Sequence, residues 1–217
     1  MSGKIILITG ANGGLGSALA KQCAKAGHTV ILLGRNIAKL EKVYDEIEAE
    51  GGATPAIYPL DLAGATAHDY GEMAQRITEQ LGGVDLLVHA AATLGNPSPV
   101  ELIEPEHLNK VLAINLVGPT LLTQALIPTL RQRKGTVVFT QDNADRAYWG
   151  CYAISKGGLA QFANVVAAEN DDITVHQFHP GIMRTPLRAG AFPGENPTEL
   201  PSPELAATRL MELINGA

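Results

Sequence analysis

Short apolar runs rich in β-branched residues alternate along this chain with longer stretches whose apolar positions recur at helical spacing. The short runs predict strands near residues 4–8, 29–33, 55–59, 84–88, 135–140 and 173–178. The longer stretches predict helices near 14–26, 36–50, 66–81, 105–132, 152–169 and 203–215. Alternation of this kind implies parallel strands joined by crossover helices, so an α/β fold of three layers is expected. The pattern lapses between residues 182 and 203, a connection rich in glycine and proline that reads as a lid over a substrate.

At 217 residues the chain is expected to form a single domain, 1–217, with no internal repeat. A chain of this size buries roughly 70% of its unfolded surface, ample for a sheet covered on both faces. A net charge of −6 without any basic run argues against a nucleic-acid or anionic-membrane partner and leaves a small-molecule substrate. A buried-type strand begins at the fourth residue, which leaves no room for a cleaved leader. No apolar stretch is expected to reach the ~18 residues of a membrane span. Both readings place the chain in the cytoplasm. Cys23 and Cys151 form no metal or disulfide framework and read as packing residues.

The first strand runs into Thr9-Gly10-Ala11-Asn12-Gly13-Gly14-Leu15-Gly16 and then into a helix of small and apolar residues. Glycine at 10 lets the chain leave the strand tightly, at 14 lets backbone N–H groups approach a pyrophosphate, and at 16 lets the helix lie close on the strand. The helix end offers its unpaired N–H groups and positive dipole to an anion. Ligands on such sheets bind beyond the carboxyl ends of the strands, so the residues there are informative. The second run ends in Gly34-Arg35, where a carboxylate would hydrogen-bond ribose hydroxyls. Arg35 offers a charged fork for a 2′-phosphate instead, favouring NADP(H) over NAD(H), with a solvated surface arginine as the plain alternative. Asp61-Leu62 after the third run can hold and pack against adenine, or Asp61 can cap the next helix. After the fourth run come His89, read as a core histidine, and Ala90, Ala91 and Ala92, small enough for a dinucleotide to pass.

Tyr152 and Lys156 share one helical face at i and i+4. Lowering a phenol from pKa ≈ 10 by three units takes about 4 kcal/mol, which a fixed cation nearby can provide. Together with the glycine turn, Asn115, and Pro180-Gly181 followed by Thr185, this pair resembles the short-chain dehydrogenase/reductase family in order and spacing. Trp149-Gly150-Cys151-Tyr152 and residues 191–197 look like the YciK-type oxidoreductases within it.

The resemblance implies a doubly wound Rossmann-like fold with Tyr152 as general acid/base. It also implies Lys156 on the nicotinamide ribose lowering the tyrosine pKa, Asn115 holding a water in a proton relay, and Pro180 to Thr185 seating the nicotinamide. Cofactor contacts follow for Gly10, Asn12, Gly13, Gly14, Leu15, Gly16, Ala90, Ala91, Tyr152 and Lys156. A homodimer through helices 105–132 and 152–169 is the expected assembly.

Three departures from the family pattern matter. No serine follows the fifth strand, and Asp142 falls nearest its place, where an ionised carboxylate opposes a developing oxyanion; Thr140 or Asn143 could supply the missing donor. Ala90 and Ala92 replace an asparagine and a glycine. The chain ends after its last helix, where the family adds a seventh strand, so six strands in the order 3-2-1-4-5-6 are expected, with residues 173–178 at an edge. Met183, Leu187, Phe192, Tyr148 and Trp149 could line an apolar pocket, and Arg184 and Arg188 could meet an acidic substrate or remain solvated. Two functions follow: an NADP(H)-dependent oxidoreductase acting on a small carbonyl or alcohol, or a catalytically weak NADP(H)-binding sensor.

Overall fold

The computed structural model describes residues 3–216, so the outermost residues of the expected domain, 1, 2 and 217, lie outside the described residues. Six parallel strands form one sheet: β1 (Ile5–Thr9), β2 (Thr29–Gly34), β3 (Ala56–Pro59), β4 (Leu86–His89), β5 (Thr136–Thr140) and β6 (Thr174–Phe178). Their spatial order is 3-2-1-4-5-6, as expected, with β6 at an edge. Thr9 pairs with both Leu33 and His89, and His89 with Phe139, so the strands end at one level and their following turns form a single rim.

Strand side chains alternate between faces, which divides the core in two. Ile6, Ile8, Leu32 and Val88 pack under α1 (Gly14–Lys25), α2 (Ile37–Ala49) and, by way of Leu210, α8 (Pro203–Asn215). Leu7, Leu33, Leu87 and Phe139 face α3 (Ala67–Leu81), α5 (Gly118–Gln132) and α6 (Gly150–Glu169). The cap of α3 is Thr66, which exchanges bonds with Asp69 in a capping box; Asp61 instead accepts Ala63 N–H within its own turn, at 3.1 Å.

The single helix expected over 105–132 is interrupted. Residues Pro105–Leu112 form α4, Ala113–Val117 form a π-turn, and α5 follows. Pro119 has no N–H for the preceding turn, and Gly118 N–H reaches back five residues to Ala113 O. Contrary to the expectation of no spanning-length stretch, this rod is long and apolar enough to cross a membrane by composition. Leu122, Leu126 and Leu130 are buried in the core cluster against the sheet, which accounts for one apolar side. Between 182 and 203 the chain is not bare loop: Thr185 caps a six-residue helix, α7 (Pro186–Ala191), and a 3-10 turn follows at Pro197–Glu199.

Candidate active site

A cavity of about 710 Å³ lies along the rim of strand ends, running from Gly34 and Arg35 past the glycine turn to Tyr152, with the residues before and after α7 as its far wall. Gly10, Asn12, Gly13, Gly14, Leu15 and Gly16 all border it. Two glycines leave no room for a side chain: a Cβ on Gly16 would lie 2.3 Å from Gly10 O, and one on Gly14 2.5 Å from Thr185 Cγ2. Gly10 has φ +63° and sits against the backbone of Ala91. Gly13 caps α1 without a side-chain bond, so the first N–H groups of the helix are left to a ligand. Thr9 Oγ1, a residue the sequence reading passed over, accepts the N–H groups of Ala90 and Ala91 at 3.1 Å each and holds the alanine turn against the glycine turn.

At the adenosine end, Asn12 Oδ1 would lie 2.7 Å from a Cβ on Gly34, so the position where a carboxylate was weighed is filled from the neighbouring turn. Arg35 borders the cavity and is joined there by Lys39, one helical turn further on, which sequence reasoning missed although the i, i+4 spacing pointed to it. Neither takes part in an ion pair among the described residues. Asp61, Leu62, Ala90, Ala91, Pro180, Gly181 and Thr185 also border the cavity.

At the other end, α6 places Tyr152 and Lys156 on one buried face. Lys156 Nζ donates to Thr140 O at 2.8 Å, and burial pushes the ammonium down to about 8. Tyr152 Oη donates to Asp142 Oδ2 at 3.1 Å. The phenol is therefore not acidified here: burial first, then the Asp142 charge and its hydrogen bond, raise its pKa above the ordinary value. That reverses the expected direction, because a buried ring facing a carboxylate outweighs an ammonium held 5.7 Å from the ring centre.

Asn115 does not border the cavity. Its Oδ1 accepts Thr93 N–H at 2.8 Å, and its Nδ2 donates to Thr93 O at 2.8 Å and Ser155 Oγ at 3.0 Å, so its side chain clamps the turn after β4 to α6. Thr140 is removed as a donor because its hydroxyl is given to His89 O at 2.8 Å; Asn143 remains on the cavity wall. His89 is the core histidine expected, bonded to Thr123 Oγ1 at 2.8 Å, stacked on Phe139, and kept neutral by burial, which lowers its pKa to about 3.

Met183, Leu187, Phe192 and Trp149 form the apolar wall, whereas Tyr148 does not border the cavity and is largely exposed, with φ +70°. Arg188 is not free for an acidic substrate: it forks onto Glu195 and lies 3.7 Å over the Phe192 ring. Arg184 is absent from the cavity wall. A further cation on this wall is Arg146, over Trp149 at 5.5 Å and Phe192 at 5.1 Å, which no sequence motif marked.

The model of the short chain dehydrogenase family matches residues 4–196. The uncharacterized oxidoreductase YciK of Escherichia coli K12 is 38% identical over 208 residues, covering 94% of this chain and 82% of YciK. A short chain dehydrogenase of Escherichia coli CFT073, solved complexed with NADPH, superposes with a TM-score of 0.94 at 38% identity, covering 97% of this chain and 90% of that one. An alcohol dehydrogenase of Thermococcus sibiricus, complexed with 5-hydroxy-NADP, superposes with a TM-score of 0.87 at 27% identity, over 98% of this chain and 90% of that one. With the glycine turn, the Tyr152–Lys156 face and the sheet order in place, this chain belongs to the short-chain dehydrogenase/reductase family.

Proposed function

We propose that this chain is an NADP(H)-dependent oxidoreductase acting on a small carbonyl or alcohol, with Tyr152 as general acid/base. The observation that carries the reading is one continuous cavity with uncapped helix N–H groups and two cations without an ion pair among the described residues at one end and a phenol beside a buried ammonium at the other. The cradle fits a dinucleotide, since the glycine turn borders the cavity and the first N–H groups of α1 carry no side-chain cap. NADPH, when bound, supplies the hydride. The glycine turn holds the pyrophosphate on backbone N–H groups. Arg35 and Lys39 take the 2′-phosphate, and Asp61 and Leu62 border the adenine. Lys156, fixed by Thr140 O, binds the nicotinamide ribose, and Pro180 to Thr185 seat the ring. Tyr152 Oη gives its proton to the reacting oxygen, or takes it back in the alcohol direction. Asn115 acts by position, holding the turn after β4 and α6 in register.

Fluorescence titration tests the cofactor preference: Arg35→Ser with Lys39→Ser should weaken NADPH at least tenfold and leave NADH unchanged. Tyr152→Phe should abolish cofactor-dependent turnover while binding persists, and retained turnover refutes the proton donor. A second reading, a catalytically quiet NADP(H) sensor, draws on one feature, the Tyr152 proton held by Asp142. Binding without turnover on any carbonyl favours it. The enzyme is proposed to be a cytoplasmic homodimer joined through α4–α5 and α6, whose outer sides leave Val117, Ile154 and Val165 about half exposed.

A further inference from the structure

Around the Tyr152 hydroxyl, three side-chain donors of the protein are already engaged. Thr140 gives its hydroxyl hydrogen to His89 O, Lys156 donates to Thr140 O, and Asn115 donates to Thr93 O and Ser155 Oγ. Gln141 borders the cavity, but its Nε2 is buried from solvent and has no partner among the described residues. Tyr152 itself points at Asp142 Oδ2 from 3.1 Å. Asn143 in the same turn also borders the cavity, but the group within hydrogen-bond reach of the phenol is the exposed Asp142 carboxylate, which when ionised can only accept.

A ketone or aldehyde oxygen also can only accept. A plain carbonyl placed at Tyr152 thus meets lone pairs at Asp142 and competes with it for the single phenolic hydrogen. A substrate with a donor on the carbon next to the carbonyl removes both conflicts. It gives its own hydrogen to Asp142, and Tyr152 O–H is released to turn toward the carbonyl oxygen. Among donors, an ammonium meets cations at this end, Lys156 behind the phenol and Arg146, Arg188 and Lys110 on the cavity wall, whereas a hydroxyl meets no like charge.

We infer that Asp142 is a specificity-determining residue that selects α-hydroxy carbonyl substrates, and in the opposite direction vicinal diols, by accepting the hydroxyl on the carbon adjacent to the reacting one. The inference rests on the oxidoreductase reading above. In the reduction, a hydride adds to the carbonyl carbon and the Tyr152 proton to its oxygen, while the hydroxyl hydrogen on Asp142 stays on its own oxygen throughout. The phenolate left behind is reprotonated from solvent, and no further reactant is needed.

The test compares initial NADPH-dependent rates on butanone, 3-hydroxybutan-2-one and 3-aminobutan-2-one for the wild type, Asp142→Ser and Asp142→Asn, with NADPH binding measured for each to confirm a folded site. The wild type should favour the hydroxy ketone over butanone by about a hundredfold in kcat/KM, with the amino ketone between them, because a site built to bond a substrate hydroxyl rejects the analogue that lacks it. Asp142→Ser should collapse that ratio to below about tenfold, chiefly by gaining on butanone, since a serine hydroxyl can donate. Asp142→Asn, which keeps an acceptor without the charge, should fall between. The inference is overturned if the wild type shows no preference, if Asp142→Ser keeps the full ratio, if the amino ketone is favoured, or if a wild type that binds NADPH reduces none of the three. Failure to bind NADPH, or turnover untouched by Tyr152→Phe, strikes the oxidoreductase reading instead, and both are read without any change at Asp142.

Discussion

Replacing Asp142 by asparagine should move the alkaline side of the pH profile, and the geometry sets both the sign and the size. Reduction needs Tyr152 protonated, so kcat/KM is level at lower pH and falls as pH rises through the phenol pKa. Burial and the Asp142 carboxylate both raise that pKa, burial being the larger cause. Asparagine keeps the burial and removes the charge, so the fall should come at lower pH, still above the ordinary tyrosine range. A unit charge about 4 Å from the phenolate is worth about 4 kcal/mol at an effective dielectric of 20 and about 1 kcal/mol in water. Asp142 is exposed, which moves the value toward the lower figure, and Lys156, itself held up in part by Asp142, loses some of its cationic help in the variant. About 1 to 2 pH units of downward shift follow, at 1.36 kcal/mol per unit. The assay is kcat/KM for an α-hydroxy ketone from about pH 6 to 11, where the wild type should stay level and Asp142→Asn should begin to fall at the alkaline end, with phenolate absorbance as a direct reporter. A wild type that falls at the same pH as the variant, or before it, refutes the proposed coupling of Asp142 to the phenol.

Three further outcomes follow from the packing. Gly16→Ala forces a Cβ to within 2.3 Å of Gly10 O, backbone against backbone, and should lower stability by about 1–3 kcal/mol. Calorimetry should register a fall in Tm of about 2–12 °C, and an unchanged Tm refutes the close approach. Asp85 accepts Ile5 N–H at 2.7 Å and both Arg133 nitrogens; although burial alone raises its pKa, these bonds win and hold it below the usual carboxylate range. Its contribution is present above the unfolded pKa of about 3.9 and is lost as pH falls through the folded value. Asp85→Asn should therefore cost about 1–2 kcal/mol at pH 7, in urea unfolding, and the gap should close in acid; an equal gap at both pH values refutes it. Ile154→Glu with Val165→Glu places charge on the half-exposed side of α6 and should give a monomer by sedimentation, so an unchanged mass refutes the assigned interface.

The alternation of short and long apolar periods was enough to read the six strands and most of the helices, because those depend on local propensity and on which face each element must bury, whereas the sheet order came from the family resemblance. The glycine turn was legible for the same reason, each glycine answering a steric demand within its own strand, turn and helix. The i, i+4 face shared by Tyr152 and Lys156 is likewise local geometry. What those side chains meet is not. Arg188 is drawn off by Glu195, Asn115 is bound to Thr93 and Ser155, and Thr140 gives its hydroxyl to His89 across 51 residues of sequence. Lys39 joins Arg35 because β2 and α2 turn both toward one cavity, and Asp142 meets the phenol because the turn after β5 lies against α6. Each of these hydrogen-bond and charge partners is chosen by distance in space, which the order of residues along a chain does not carry; only the packed fold decides whether a polar group is free to act or already engaged.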